Sequence, residues 1–140
     1  DVAGVDVIVP AMRFTVKKKW NIQQFGPAQA VNIFNRTGKV NSDNVTIGGL
    51  QFQPGELLFE GGSGGLVEDH WEIDYHYNAI PNRQNIQINQ FVVVPEKKGH
   101  EHLWVLFSRD ALDNKFVQTP LAGFVAKVYE EEPLDGVFGF

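Results

Sequence analysis

The sequence predicts a mainly β (α+β) domain: an antiparallel β-sandwich or partly open β-barrel with one helix, at about Pro27–Thr37, packed on it. Three observations predict this class. Apolar residues recur with period two over many short stretches. Gly and Pro punctuate those stretches, with 14 glycines and 7 prolines in 140 residues. Only one segment has helical spacing, so the alternating helices of a doubly wound α/β fold are missing.

The elements follow in order. Val5, Val7 and Val9 alternate with other residues as far as Pro10. Met12, Phe14, Val16 and Trp20 then share one parity, and Arg13, Thr15, Lys17 and Lys19 the other, which predicts a half-buried strand. Lys18 interrupts the apolar parity, so the strand is expected to emerge toward solvent there. Pro27 suits a first helical turn and Gly38 a helical stop. A helix of this length is marginal alone, so it is expected to pack through Ala30, Ile33 and Phe34. "VTIGGLQFQPGELLFEGG" predicts two short strands around a Pro54-Gly55 turn, and "GGSGG" at Gly61–Gly65 a flexible turn.

"HWEIDYHYN" predicts a central amphipathic strand. Trp71, Ile73, Tyr75 and Tyr77 face inward, and His70, Glu72, Asp74 and His76 face solvent or a neighbouring subunit. "NAIPNRQN" reads as a loop, "NIQINQFVVV" as one strand and "PEKKGH" as a tight connection. "HLWVLFS" is apolar on both parities, which places it in mid-core. "SRDALDNK" reads as a loop, and "KFVQTPLAGFVAKVYE" as one or two strands split by Pro120. One domain spans 1–140, with 1–10 and 133–140 as interaction arms; Val137, Phe138 and Phe140 are apolar residues that pack back or dock on a partner.

Composition narrows the function classes. Hydrophobic residues make up 43% and charged residues 21%, a globular balance. The net charge of −5 argues against a sequence-independent nucleic-acid binder. The absence of cysteine removes disulfides, thiolate metal sites and cysteine nucleophiles. No apolar run is long enough to span a bilayer as a helix. "DVAGVDVIVP" does not read as a signal peptide, and a start at Asp1 is expected of a processed or trimmed N-terminus.

The chemistry-bearing residues point to no catalytic site and no cofactor. Along a strand, side chains of one face stand about 7 Å apart, so four in a row span about 20 Å. His70, Glu72, Asp74 and His76 therefore cannot all ligate one ion, and the reading is a wet strand face. His100 and His102 form a His-x-His pair that puts two imidazoles on one side, yet the following Leu103–Phe107 supplies no carboxylate. "GGSGG" lacks the helix and Lys-Ser/Thr of a phosphate loop. Ser63 lacks the strand-turn-helix setting of a nucleophile elbow. The lysine runs at 17–19 and 97–98 are short, and Lys18 suits a protected strand edge. Trp71, Tyr75 and Tyr77 are the binding or interface residues of this strand; a sugar-stacking platform is the alternative to core packing.

Four stretches, "TGKVN", "FQPGELLFEGGSG", "HWEIDYHYNAIPN" and "KKGHEHLWVLF", occur in this order between Thr37 and Phe107. This order resembles a group of small phage or prophage proteins found among virion and tail-assembly genes. In that group a "TGK-N" turn, an "F--GE-LF-G" segment, a "WE--Y-F--S-N" strand and a "KKG-EYLWV-Y" strand recur. This chain keeps Glu101 and has His102 where the group carries an aromatic, which favours packing over metal binding at that position. The resemblance implies a non-enzymatic structural or assembly protein, homo-oligomeric and in contact with other virion proteins. It implies a place in the virion, assembled in the host cytoplasm. A carbohydrate- or ligand-binding β-module and a small metalloenzyme built on His100 and His102 are the rival readings.

Overall fold

The computed structural model describes residues 10–90, 92–112 and 115–134. Among the described residues eleven strands and one helix follow in the order β1 (Met12–Asn21), α1 (Pro27–Arg36), β2 (Lys39–Asn41), β3 (Val45–Ile47), β4 (Leu50–Phe52), β5 (Leu57–Val67), β6 (His70–Ala79), β7 (Arg83–Gln87), β8 (Val93–Lys97), β9 (His102–Leu112), β10 (Lys115–Ala126) and β11 (Glu131–Glu132). The mainly β class with one helix is as expected. The sheet is open rather than closed into a barrel. It has five strands in the order β1-β6-β5-β2-β11, and β3-β4, β7-β8 and β9-β10 form separate two-stranded sheets. Pairing in the main sheet is antiparallel except between β2 and β11, which run parallel.

One face of the main sheet carries the larger core. β1 and β6 pair from Met12↔Ala79 to Asn21↔His70, so the inward parities of both strands coincide. Phe14, Val16 and Trp20 thereby meet Trp71, Ile73, Tyr75 and Tyr77 around Leu57 and Phe59. Stacked and tilted rings join Phe14 to Tyr77 at 5.4 Å and Phe59 to Tyr77 at 5.2 Å, spacings that favour aromatic pairs. Trp20 Nε1 donates to Tyr75 Oη at 3.0 Å, which satisfies the indole within the core. Leu134, 2% exposed, belongs to this core, so the predicted 133–140 arm is anchored at its start. Lys18 does not leave the face: its ammonium lies 3.7 Å over the Trp20 ring, a cation–π contact.

Several elements depart from the sequence reading. "GGSGG" is no turn but the middle of β5, and the turn falls at Glu68–Asp69. Glu60 is bulged out of the ladder between Phe59↔Tyr77 and Gly61↔His76. Gly61 takes a φ of 116°, a conformation that tolerates no ordinary side chain. The bulge inverts the parity of β5: Leu57 and Phe59 point to the core, and Ser63 points away. "NIQINQFVVV" is a hairpin, β7 and β8, and "SRDALDNK" lies mostly within the β9–β10 hairpin. β9 is consequently not a mid-core strand, since it pairs only with β10 among the described residues and Trp104 is 38% exposed.

α1 runs over β5, with Ile33 packed on the core above Gly62. Gly26 precedes it, and Gln29 Oε1 accepts the Gly26 N–H at 2.9 Å. Thr37 Oγ1 donates to the Ile33 carbonyl at 2.6 Å at the other end, followed by Gly38 with a φ of 79°. Phe34 does not pack as expected; it is 76% exposed, whereas Ile33 packs on the core and Ala30 is half-buried at the groove beside the sheet. A second, smaller core of Ile86, Val94 and Leu103, with Ile88 and Val125, binds β7–β8 to the base of β9–β10. Pro120 sits at a register shift in β10, where a missing N–H is tolerated.

A Cβ on Gly64 would stand 1.9 Å from the Glu72 carbonyl oxygen, at a φ of 146°. Gly65, next in the chain, has nothing within 4 Å of that position. Gly64→Ala is expected to cost about 3 kcal/mol and Gly65→Ala no more than about 0.5 kcal/mol. Urea midpoints of the two variants at unchanged m-value check this.

Candidate functional site

The densest polar site joins four loops at one end of the main sheet. Asn41, fully buried, stands at its centre. Its Nδ2 donates to the carbonyls of Asp43 (2.8 Å) and Gln53 (2.9 Å), and its Oδ1 accepts from the Leu57 N–H at 2.9 Å. Glu56 ties the next two loops, with Oε1 accepting the Gln53 N–H and Oε2 the Asn82 N–H, each at 2.7 Å. Asn82 in turn accepts from the Gly99 N–H at 2.7 Å and donates to the Pro54 carbonyl at 3.2 Å. A Cβ on Gly99 would lie 1.7 Å from the Ile80 carbonyl oxygen, so only glycine lets these two loops touch.

His100 completes this clamp. Its Nε2 donates to the carbonyls of Asn78 (2.7 Å) and Glu56 (3.1 Å), which requires the Nε2–H tautomer. The ring is 8% exposed, and burial, opposed by these two bonds, holds its pKa below the ordinary histidine range. Lys97 is buried beside it, donating to the Gly99 carbonyl at 2.7 Å and the Lys98 carbonyl at 3.2 Å, and burial lowers its pKa as well. His102 lies apart in role, its ring edge-on to Trp104 at 4.5 Å. His100 is therefore a fastener of backbone carbonyls. Among the described residues no group of three or more His, Asp or Glu side chains gathers as metal ligands.

The other two candidate histidines stand on the polar face of β6. His70 contacts Glu72 at 3.1 Å and Asp69 at 3.3 Å, and the Glu72 bond, then Asp69, raises its pKa. His76 bridges three strands: Nδ1 meets Thr15 Oγ1 of β1 at 3.1 Å and Nε2 meets Ser63 Oγ of β5 at 2.8 Å. A serine–imidazole contact is the opening half of a nucleophile dyad. The orienting position, however, holds a threonine hydroxyl rather than the carboxylate that would stabilise an imidazolium. The nearest carboxylate in the row, Asp74, stands 4.0 Å from Lys17. The arrangement laces β1, β6 and β5 together across the face. Ser63 reaches His76 only because the Glu60 bulge turns it outward, which no period-two reading of "LLFEGGSGG" reveals.

The predicted interface aromatics divide. Tyr75 and Tyr77, at 0% and 1% exposure, are core residues and not interface residues, because the β1–β6 register buries their whole parity; burial raises the pKa of both phenols. Trp71 keeps partial exposure and lies against Phe25 at 5.2 Å, where a groove of about 230 Å³ runs between α1 and the sheet. Val137, Phe138 and Phe140 lie outside the described residues, as do residues 1–9 of the N-terminal arm. Sequence reasoning missed Asn41, Glu56, Asn82 and the burial of Lys97. Their only trace was membership of the "TGKVN", "PGE", "IPN" and "KKGH" stretches.

A histidine whose folded pKa is depressed contributes stability that is complete above the unfolded value, about 6.5, and is lost as pH falls toward the folded value. His70 acts oppositely, its contribution being present at low pH and lost as pH rises, but it is only half-buried and its partners Asp69 and Glu72 are screened by solvent. The chain is thus expected to lose stability below about pH 6.5, and His100→Gln to flatten that slope at a cost of about 1–3 kcal/mol at pH 7.5. Urea unfolding of both proteins between pH 5 and 8 measures this. Comparison of the chain with protein-family models, with curated proteins and with solved structures finds no match.

Proposed function

We propose that this chain is a non-enzymatic structural subunit of a tailed-phage particle or tail-like assembly, working through repeated contacts with copies of itself and with other virion proteins. The phage setting rests on the sequence resemblance between Thr37 and Phe107. The observation that carries the assembly role is the β9–β10 hairpin. Its strands of 11 and 12 residues span about 35 Å. Among the described residues its principal contact outside the hairpin is β10 against β8, and Leu103 and Val125 join the second core at its base. A two-stranded ribbon is marginal in water by itself, so a subunit carrying one gains stability when a neighbour covers it. Exposed Phe34 and Val31 on α1 add apolar surface of the kind that marks contact sites.

One observation favours a second reading, a ligand-binding β-module: the aromatic groove of Phe25, Phe34 and Trp71. Glycan binding lost in Trp71→Ala, with Tyr75 untouched in the core, would be its signature.

The structural reading predicts assembly with rising concentration. Sedimentation of the full chain is expected to show species larger than the monomer, and electron microscopy to show rings or tubes. Replacing Arg109–Gln118 by a two-residue turn is expected to leave the Tyr fluorescence and unfolding midpoint of the main core within about 1 kcal/mol while lowering assembly at least about tenfold. A chain that stays monomeric at millimolar concentration would sink the reading.

A further inference from the structure

We propose that copies of this chain join head to tail through opposite edges of the main sheet, β1 of one copy beside β11 of the next, selected by charge. This inference rests on the structural-subunit reading and names its contact. Among the described residues β1 pairs only with β6 and β11 only with β2, so these are the two edges of the five-stranded sheet. The first edge carries Lys17, Lys18 and Lys19 in succession. The second carries Glu130, Glu131 and Glu132.

The faces of the two edges match as well. Arg13, Asn78, Leu58, Val40 and Glu131 form one registered row across the sheet, so Glu131 shares the face of Arg13, Lys17 and Lys19. Glu130 and Glu132 alternate to the other face, which is that of Lys18. Each face thus presents lysine at one edge and glutamate at the other. Like charges directly opposite each other oppose strand pairing, and unlike charges favour it. Two β1 edges repel, and so do two β11 edges. Only the β1–β11 pairing sets lysine against glutamate on both faces. That pairing is heterologous, and heterologous contacts build rings when the rotation closes and filaments when it does not. Within the chain Glu130 binds Lys39 and Glu131 binds Lys98, at the inner side of the same edge. These are exposed pairs of small worth, so they hold the carboxylates at the edge without withdrawing them from a neighbour.

Charge reversal in the full chain tests this. K17E/K18E/K19E and E130K/E131K/E132K are each expected to need at least about tenfold higher concentration than the wild type to assemble, by sedimentation at low salt. An equimolar mixture of the two is expected to regain wild-type assembly, because every edge then meets its complement in an alternating order. Where loss of the Lys18–Trp20 contact or of the Lys39 and Lys98 pairs unfolds a variant, K17E/K19E mixed with E131K poses the same question on one face. Variants that assemble like the wild type when alone, or a mixture that stays monomeric, overturn the β1–β11 contact and leave the subunit reading standing. A wild type that never assembles overturns the subunit reading itself.

Discussion

The clamp built from Asn41, Glu56, Asn82 and His100 is the constraint on which the rest of the molecule depends. Among the described residues neither hydrophobic core draws a side chain from the four loops it gathers. Buried backbone groups in these loops have no ladder to join, and unpaired they would each cost about 1–3 kcal/mol. The side chains supply what a ladder would have supplied. Asn41 serves three backbone groups, Glu56 two, Asn82 two and His100 two. The clamp also joins the two cores, since β5 and β6 begin and end on one side of it and β8 and β9 on the other. Removing a single member leaves its partners buried and unpaired, so the network fails as a unit rather than by fractions.

The strands that repeat with period two were legible, and those that break it were not. β1 and β6 read correctly because each keeps one parity for ten residues and the two registers agree. β5 misled because its bulge changes the parity halfway along, and its glycines carry no hydropathy signal. β9 misled in the opposite direction: its run of apolar residues suggested burial on both sides, whereas among the described residues it pairs with β10 alone, with Leu103 and Val105 buried and Trp104 38% exposed. The helix was legible from Pro27 and Gly38, but its packing was not. Nothing in local spacing says that Ile33 aims at the sheet and Phe34 at solvent.

The site was legible only in fragments. The histidines drew notice as possible ligands, yet the partners of His76 and His100 lie 13 to 61 positions away in the chain. His100 is explained by two carbonyls, and carbonyls leave no mark in a sequence. The four stretches that carry the phage resemblance turn out to hold Asn41, Glu56, Asn82 and His100, so what looked like scattered turn motifs is one network. The geometry thereby gives those stretches a physical reason that is architectural rather than chemical.

The parallel pairing of β2 with β11 has a consequence for the order of folding. Lys39 and Glu130, which meet at that edge, are 91 positions apart. Such distant pairing carries the largest loop-closure entropy in the sheet and forms late. During synthesis from the N-terminus, β1, β6 and β5 can pair long before β11 leaves the ribosome. The acidic edge therefore exists only once β11 has been synthesised and has paired with β2. A nascent chain in which β1, β6 and β5 have paired displays the basic edge before the acidic one, so on the proposed β1–β11 contact the later edge would set when a copy could be joined on both sides.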